Sequence, residues 1–107
     1  MTDRELLELA AKAIDADVEF TSGAWTFGEK TECRLNGGDI WNPITDDGDA
    51  LRLATMLKLS ICICEKVVIV EQWIGAEQAL VPLDLDPCAA TRRAITRVAA
   101  EIGRAMP

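Results

Sequence analysis

The stretch Leu59-Ser60-Ile61-Cys62-Ile63-Cys64-Glu65-Lys66-Val67-Val68-Ile69-Val70-Glu71-Gln72-Trp73 decides the fold. Its β-branched residues and short apolar runs predict two strands, Ser60–Cys64 and Val67–Trp73. Glu65-Lys66 lies between them as a two-residue turn, without the Asn-Gly signature of a tight hairpin. A hairpin and one long bent strand are therefore both open at this point. Val67-Val68-Ile69-Val70 is apolar at every position, as expected for a central strand covered on both sides. Gly75 marks the next turn, and Gln78–Leu83 reads as a third strand. Pro82 cannot donate to a ladder, which places that strand at an edge or ends it there.

Helical patterns flank this sheet. Upstream, Leu6, Leu9, Ala10, Ala13 and Ile14 recur on one face of a helix from Asp3 to about Asp15. Thr2 or Asp3 caps it, and Glu8 and Lys12 form an i, i+4 pair. Ala50, Leu53, Ala54 and Leu57 give the apolar face of a second helix, about Asp47–Lys58, capped by Thr45 or Asp46. Asp86-Pro87 opens a third helix with an N-cap aspartate and proline at the first helical position. It runs to about Arg104, with Thr91, Ile95, Val98 and Ile102 inward and Gly103 and Pro107 bracketing its end. Val18 to Ile40 is broken by glycines and reads as short strands or extended loop, with Gly37-Gly38 the clearest turn.

Short turns between consecutive strands imply antiparallel pairing. The expectation is one α+β domain spanning 1–107, an α-β-α layered sandwich in which three helices cover a small, mainly antiparallel sheet.

Composition narrows the chemistry. Of the 107 residues, 50% are apolar and 27% charged, which suits a soluble globular fold. Histidine and tyrosine are absent, so no Ser-His or Cys-His pair, histidine metal ligand or phenolic acid exists in this sequence. That argues against an enzyme. The net charge is −7, and it is uneven: residues 1–50 hold four basic and twelve acidic residues, the remainder seven and six. An acidic chain is repelled by phosphate backbones and anionic membranes, so neither nucleic acid nor membrane is an expected partner. The longest apolar runs are far short of a membrane span, and the polar N-terminus lacks an export signal, which points to the cytoplasm.

Four groups of residues stand out. Trp41-Asn42-Pro43 followed by Asp46, Asp47 and Asp49 reads either as a surface loop with Trp41 as a partner anchor, or as a helix cap over which Trp41 packs. The same aspartates are the one candidate for a divalent-metal carboxylate enzyme, although they do not match a Ca²⁺-loop template. Arg93 and Arg97, with Arg92 and Arg104, form a basic stripe on the last helix that fits nucleic acid, an acidic partner or, more commonly, a solvated face. Arg97 and Glu101 are expected to pair. Trp25 and Phe27 share one face of a short strand and are either core or a binding patch. Finally, Cys62 and Cys64 form a C-x-C pair on one strand face. Cysteine is commonly buried and the spacing is not that of a zinc knuckle, so Cys33, Cys62, Cys64 and Cys88 are expected as buried thiols with no metal or cofactor.

Two of these stretches carry a resemblance. Trp41-Asn42-Pro43-Ile44-Thr45-Asp46 followed by Ala50 and Leu53, together with Asp86-Pro87-Cys88-Ala89-Ala90-Thr91-Arg92-Arg93-Ala94, resembles the small phage and prophage proteins grouped as the phage ABA sandwich domain. There a Trp/Phe-x-Pro-x-Thr/Ser-Asp stretch opens a helix, and a final helix starts with a small-residue run. The resemblance covers roughly residues 4–10 and 40–104 and leaves 18–38 unmatched. It implies an α-β-α sandwich and a phage or prophage origin, and it brings no activity or catalytic residues. The functional expectation is a small, non-enzymatic accessory protein that binds a host or phage protein. One version mimics nucleic-acid charge to modulate a host or defence protein. The alternatives are the metal-dependent carboxylate enzyme and a virion component. A homo-oligomer is possible if an edge strand or apolar helix face stays exposed.

Overall fold

A computed structural model describes residues 2–23, 30–72 and 77–107. Within them the chain folds as α1 (Asp3–Ala13), β1 (Val18–Gly23), β2 (Lys30–Leu35), α2 (Asp47–Met56), β3 (Leu59–Ile63), β4 (Val67–Gln72), β5 (Gln78–Pro82) and α3 (Pro87–Ala105). The α+β class with three helices and antiparallel strands stands. The strands divide into two small sheets, a β1–β2 hairpin and a three-stranded β3–β4–β5 sheet.

Side-chain caps start all three helices. The Thr2 hydroxyl accepts from the Glu5 amide at 3.2 Å, the Asp46 carboxylate from Asp49 at 2.8 Å, and the Asp86 carboxylate from Ala89 at 3.0 Å. Each cap satisfies an amide that the helix itself leaves without a partner. The predicted Glu8–Lys12 pair does not form. Glu8 pairs instead with Arg4, and Lys12 reaches across to the Met106 carbonyl at 2.9 Å.

Residues 59–72 form a hairpin, not one bent strand. Leu59 stands opposite Gln72 and Ile63 opposite Val68, and the Cys64 amide closes the turn on the Val67 carbonyl at 2.8 Å. Neither Glu65 nor Lys66 takes a positive φ, so this turn does without the Asn-Gly geometry. That geometry occurs elsewhere. Asn36 (φ 52°) and Gly37 (φ 72°) turn the chain after β2, one residue earlier than the Gly37-Gly38 reading, and the Gly38 amide bonds back to Leu35. The returning strand bridges Arg34 to Ile40 and brings the Trp41 amide onto the Cys33 carbonyl at 2.8 Å.

Helix α3 is the hub. It packs on β4, β5, α1 and α2. On the sheet face carrying Val68 and Val70, both valines are fully buried, with Ala79 and Val81 opposite them also in the core. Burying a valine or leucine side chain contributes about 1.5–3 kcal/mol, so this layer is a main source of stability. The other sheet face departs from expectation. There Cys62, Ile69 and Leu80 lie in one row across the three strands, and only Ile69 is even half-buried. The apolar run of β4 is thus fully covered on one side only. Gly103 also departs: it lies inside α3, whose C-cap is Met106.

Candidate functional site

The two motif stretches meet in space, through residue pairs 48 and 45 positions apart in sequence. Asn42 begins the arrangement. Its side-chain oxygen accepts from the Ile44 and Thr45 amides at 3.0 and 3.3 Å, and its own amide donates to Asp49 at 2.9 Å. Asp46 caps α2. Asp49, only 8% exposed, also accepts from Arg52 at 2.6 Å. From α3, Arg92 donates through Nε to the Ile44 carbonyl at 2.8 Å and through a terminal nitrogen to Asp47 at 2.5 Å. Its side chain is 17% exposed. Arg92 therefore leaves the basic stripe and ties the start of α2 to α3.

This geometry settles several sequence readings. Trp41 is 6% exposed and belongs to the core, so it is not a surface anchor: the chain's return beside Cys33 buries it. Asp47 turns to Arg92, whereas Asp46 and Asp49 both lie against Arg52, at 4.0 and 2.6 Å. Among the described residues no group of three carboxylates or thiols is placed to hold a metal ion. Trp25 and Phe27 lie outside the described residues. Glu101 pairs with Arg104 at 3.8 Å and not with Arg97. Arg93 pairs with Asp3 at 3.2 Å, and together with Arg97 it lines a polar cleft of about 550 Å³ between α3 and β5.

What the sequence did not point to is a second cleft, apolar and about 300 Å³, whose walls are α2, β3 and the first turns of α3. Ala50 and Leu51 come from α2, Ile61 and Ile63 from β3, and Thr91 and Ile95 from α3. The Arg92–Asp47 pair closes part of the wall. Leu51 and Ile63 are 62% and 64% exposed. Large apolar side chains exposed beside a cleft are a recurrent feature of interaction surfaces.

The backbone adds a second property. In an antiparallel ladder, alternate residues turn their amide and carbonyl toward a given neighbour. Cys64 bonds to β4, so Ile61 and Ile63 turn theirs to the free side of β3. Among the described residues no strand pairs with that side. The strand Leu59–Ile63 contains no charge and no proline, the usual protections of an edge. The opposite edge is protected. Leu83 bonds to Lys66, which puts the missing donor of Pro82 on the outward side of β5.

No family model, curated protein or solved structure matches the chain. The resemblance to the phage ABA sandwich proteins thus rests on the two motifs, which the structure joins through Arg92. Among the described residues no helix is long and apolar enough to cross a membrane.

Proposed function

We propose that this is a non-enzymatic protein-binding module that takes an extended segment of a partner protein onto the free edge of β3. The observation that carries the reading is the coincidence of the outward Ile61 and Ile63 backbone groups with the apolar cleft beneath them. Main-chain hydrogen bonds supply affinity in this mode of recognition, and pockets for alternate side chains supply choice of sequence. The partner segment carries apolar residues at alternate positions and flanking Lys or Arg, because the chain it approaches is at −7. A phage or prophage accessory role in the cytoplasm, acting on a host or phage protein, accords with this mode and with the two motifs.

The aspartates are less suited to nucleic-acid mimicry or metal catalysis. Asp47 and Asp49 are neutralised by Arg92 and Arg52 within the fold, so they offer no free row of charge.

Selection from a displayed library of random peptides tests the reading. Enriched peptides should alternate apolar residues, bind less tightly as salt rises, and lose binding when a single peptide amide is N-methylated. Ile63→Lys, on an exposed side chain, should abolish capture while leaving the melting temperature unchanged. No enrichment, or peptides indifferent to Ile63→Lys, rejects the proposal. Enrichment of the Leu59–Ile63 sequence itself would identify a second copy of the chain as the occupant.

A further inference from the structure

The outer face of the three-stranded sheet holds a second feature, independent of the β3 cleft. Three of the four cysteines are not buried, contrary to the sequence expectation: Cys62 and Cys88 are exposed, Cys64 is half-buried, and Cys33 alone is in the core. Cys62 and Cys64 lie two residues apart on one face, with their sulfurs 3.6 Å from each other. A tetrahedral zinc–thiolate site, with its sulfurs about 2.3 Å from the metal, would separate two ligand sulfurs by about 3.8 Å. The spacing is thus that of two thiols sharing one soft centre. Among the described residues no third His, Cys, Asp or Glu joins them. A four-coordinate metal would lack half its ligands here, whereas a centre that needs two sulfurs would be complete.

We propose that Cys62 and Cys64 form a vicinal dithiol site for a trivalent arsenical, an arsenic(III) centre with one organic substituent and two exchangeable positions. The reaction is a condensation. The arsenoxide R–As=O and two thiols give R–As(S–Cys)₂ and one water. Two As–S bonds form, the As=O bond and two S–H bonds break, and the two protons leave with the oxygen. No atom changes oxidation state, so no oxidant or reductant is required.

Two surroundings favour it. The hydrogen bond between the thiols, which with desolvation second raises the Cys64 pKa, holds the two sulfurs side by side. Beside it, Ile69 lies opposite Cys62 and Leu80 opposite Ile69, and Leu80 is 54% exposed. That row gives the organic substituent an apolar surface to rest on. Soft, polarisable sulfur ligands select soft centres of this kind. Joining two thiols in one ring makes the second bond intramolecular, which raises overall affinity by about 10²-fold or more over a lone thiol.

Phenylarsine oxide is the probe. The purified, reduced protein should gain one phenylarsenic group by intact mass, retain it through gel filtration, and lose two titratable thiols. A small dithiol should remove the group and a monothiol should not. Cys88→Ser should behave as the parent. Cys62→Ser and Cys64→Ser should each bind about 100-fold more weakly and fail to retain the adduct. Circular dichroism and melting temperature verify that these exposed-face variants are folded. A parent protein that retains no adduct overturns the proposal, as does an adduct that survives in folded Cys62→Ser or Cys64→Ser.

Discussion

Gly103 in α3 sits directly on the backbone of Leu9 in α1: a Cβ built on Gly103 would lie 1.9 Å from the Leu9 carbonyl oxygen. The obstacle is main chain, which has no rotamer to change. Small residues surround the contact, with Ala10, Ala99 and Ala100 fully buried. Gly103→Ala therefore forces the two helices apart. Overpacking of this kind costs about 1–3 kcal/mol or more, in excess of any gain in helix propensity. Urea unfolding should show a lower midpoint, and a midpoint equal to the parent's would refute the contact.

Arg92 should matter more than its ion-pair partner. Asp47 is 74% exposed at its side chain, so Asp47→Ala is expected to cost no more than about 1 kcal/mol. Arg92→Met also strips the Ile44 carbonyl of a part-buried donor, and about 1–3 kcal/mol is expected. Arg92→Lys should not restore stability, because one ammonium cannot replace a fork that serves two acceptors. Comparison of the three variants by chemical denaturation checks the order.

A similar asymmetry holds at the start of α2. Asp49→Ala leaves the Asn42 amide without its acceptor in a part-buried place, at about 1–3 kcal/mol. Arg52→Ala removes only a 68% exposed cation from the same carboxylate, and a loss under about 1 kcal/mol is expected. Equal effects in thermal unfolding would show that the buried amide bond contributes nothing special.

Cys33 predicts an alkaline weakness. Burial, with a smaller contribution from Glu8, raises its pKa from 9.0 to about 11. Between those values the unfolded chain releases the thiol proton and the folded chain keeps it. Stability from this group is thus complete below pH 9 and falls as pH rises toward 11. Cys33→Ala, though less stable overall, should lose that part of the alkaline slope in unfolding measured across pH 8–11. An unchanged slope would place the effect elsewhere.

Much of this architecture was legible in the chain. The i, i+3, i+4 spacing of Leu6, Ala10 and Ala13, the Asp86-Pro87 start and the Val67–Val70 run each report a local rule, and these elements fall within about two residues of their expected ends. Relations between distant segments were not legible. Trp41 is buried because the Asn36-Gly37 turn folds it back beside Cys33, and nothing in Trp41-Asn42-Pro43 itself encodes that return. The arginines of the last helix look alike in sequence, yet Arg92 is tucked under α2 and Arg97 faces solvent. Gly103 near a helix end fits a terminator as well as a close helix crossing, and only the position of α1 separates the two. The β3 cleft was hidden for the same reason, since its walls come from three elements. The C-x-C pair was visible, but its exposure depends on which sheet face the helices leave uncovered.

The unequal edges of the three-stranded sheet set a valency. Proline interrupts one side and the other is open, so under the proposed mode the sheet has one receptive edge. The proposal thus implies one partner strand per molecule. Growth into a fibre needs two receptive sides, and Pro82 removes one of them.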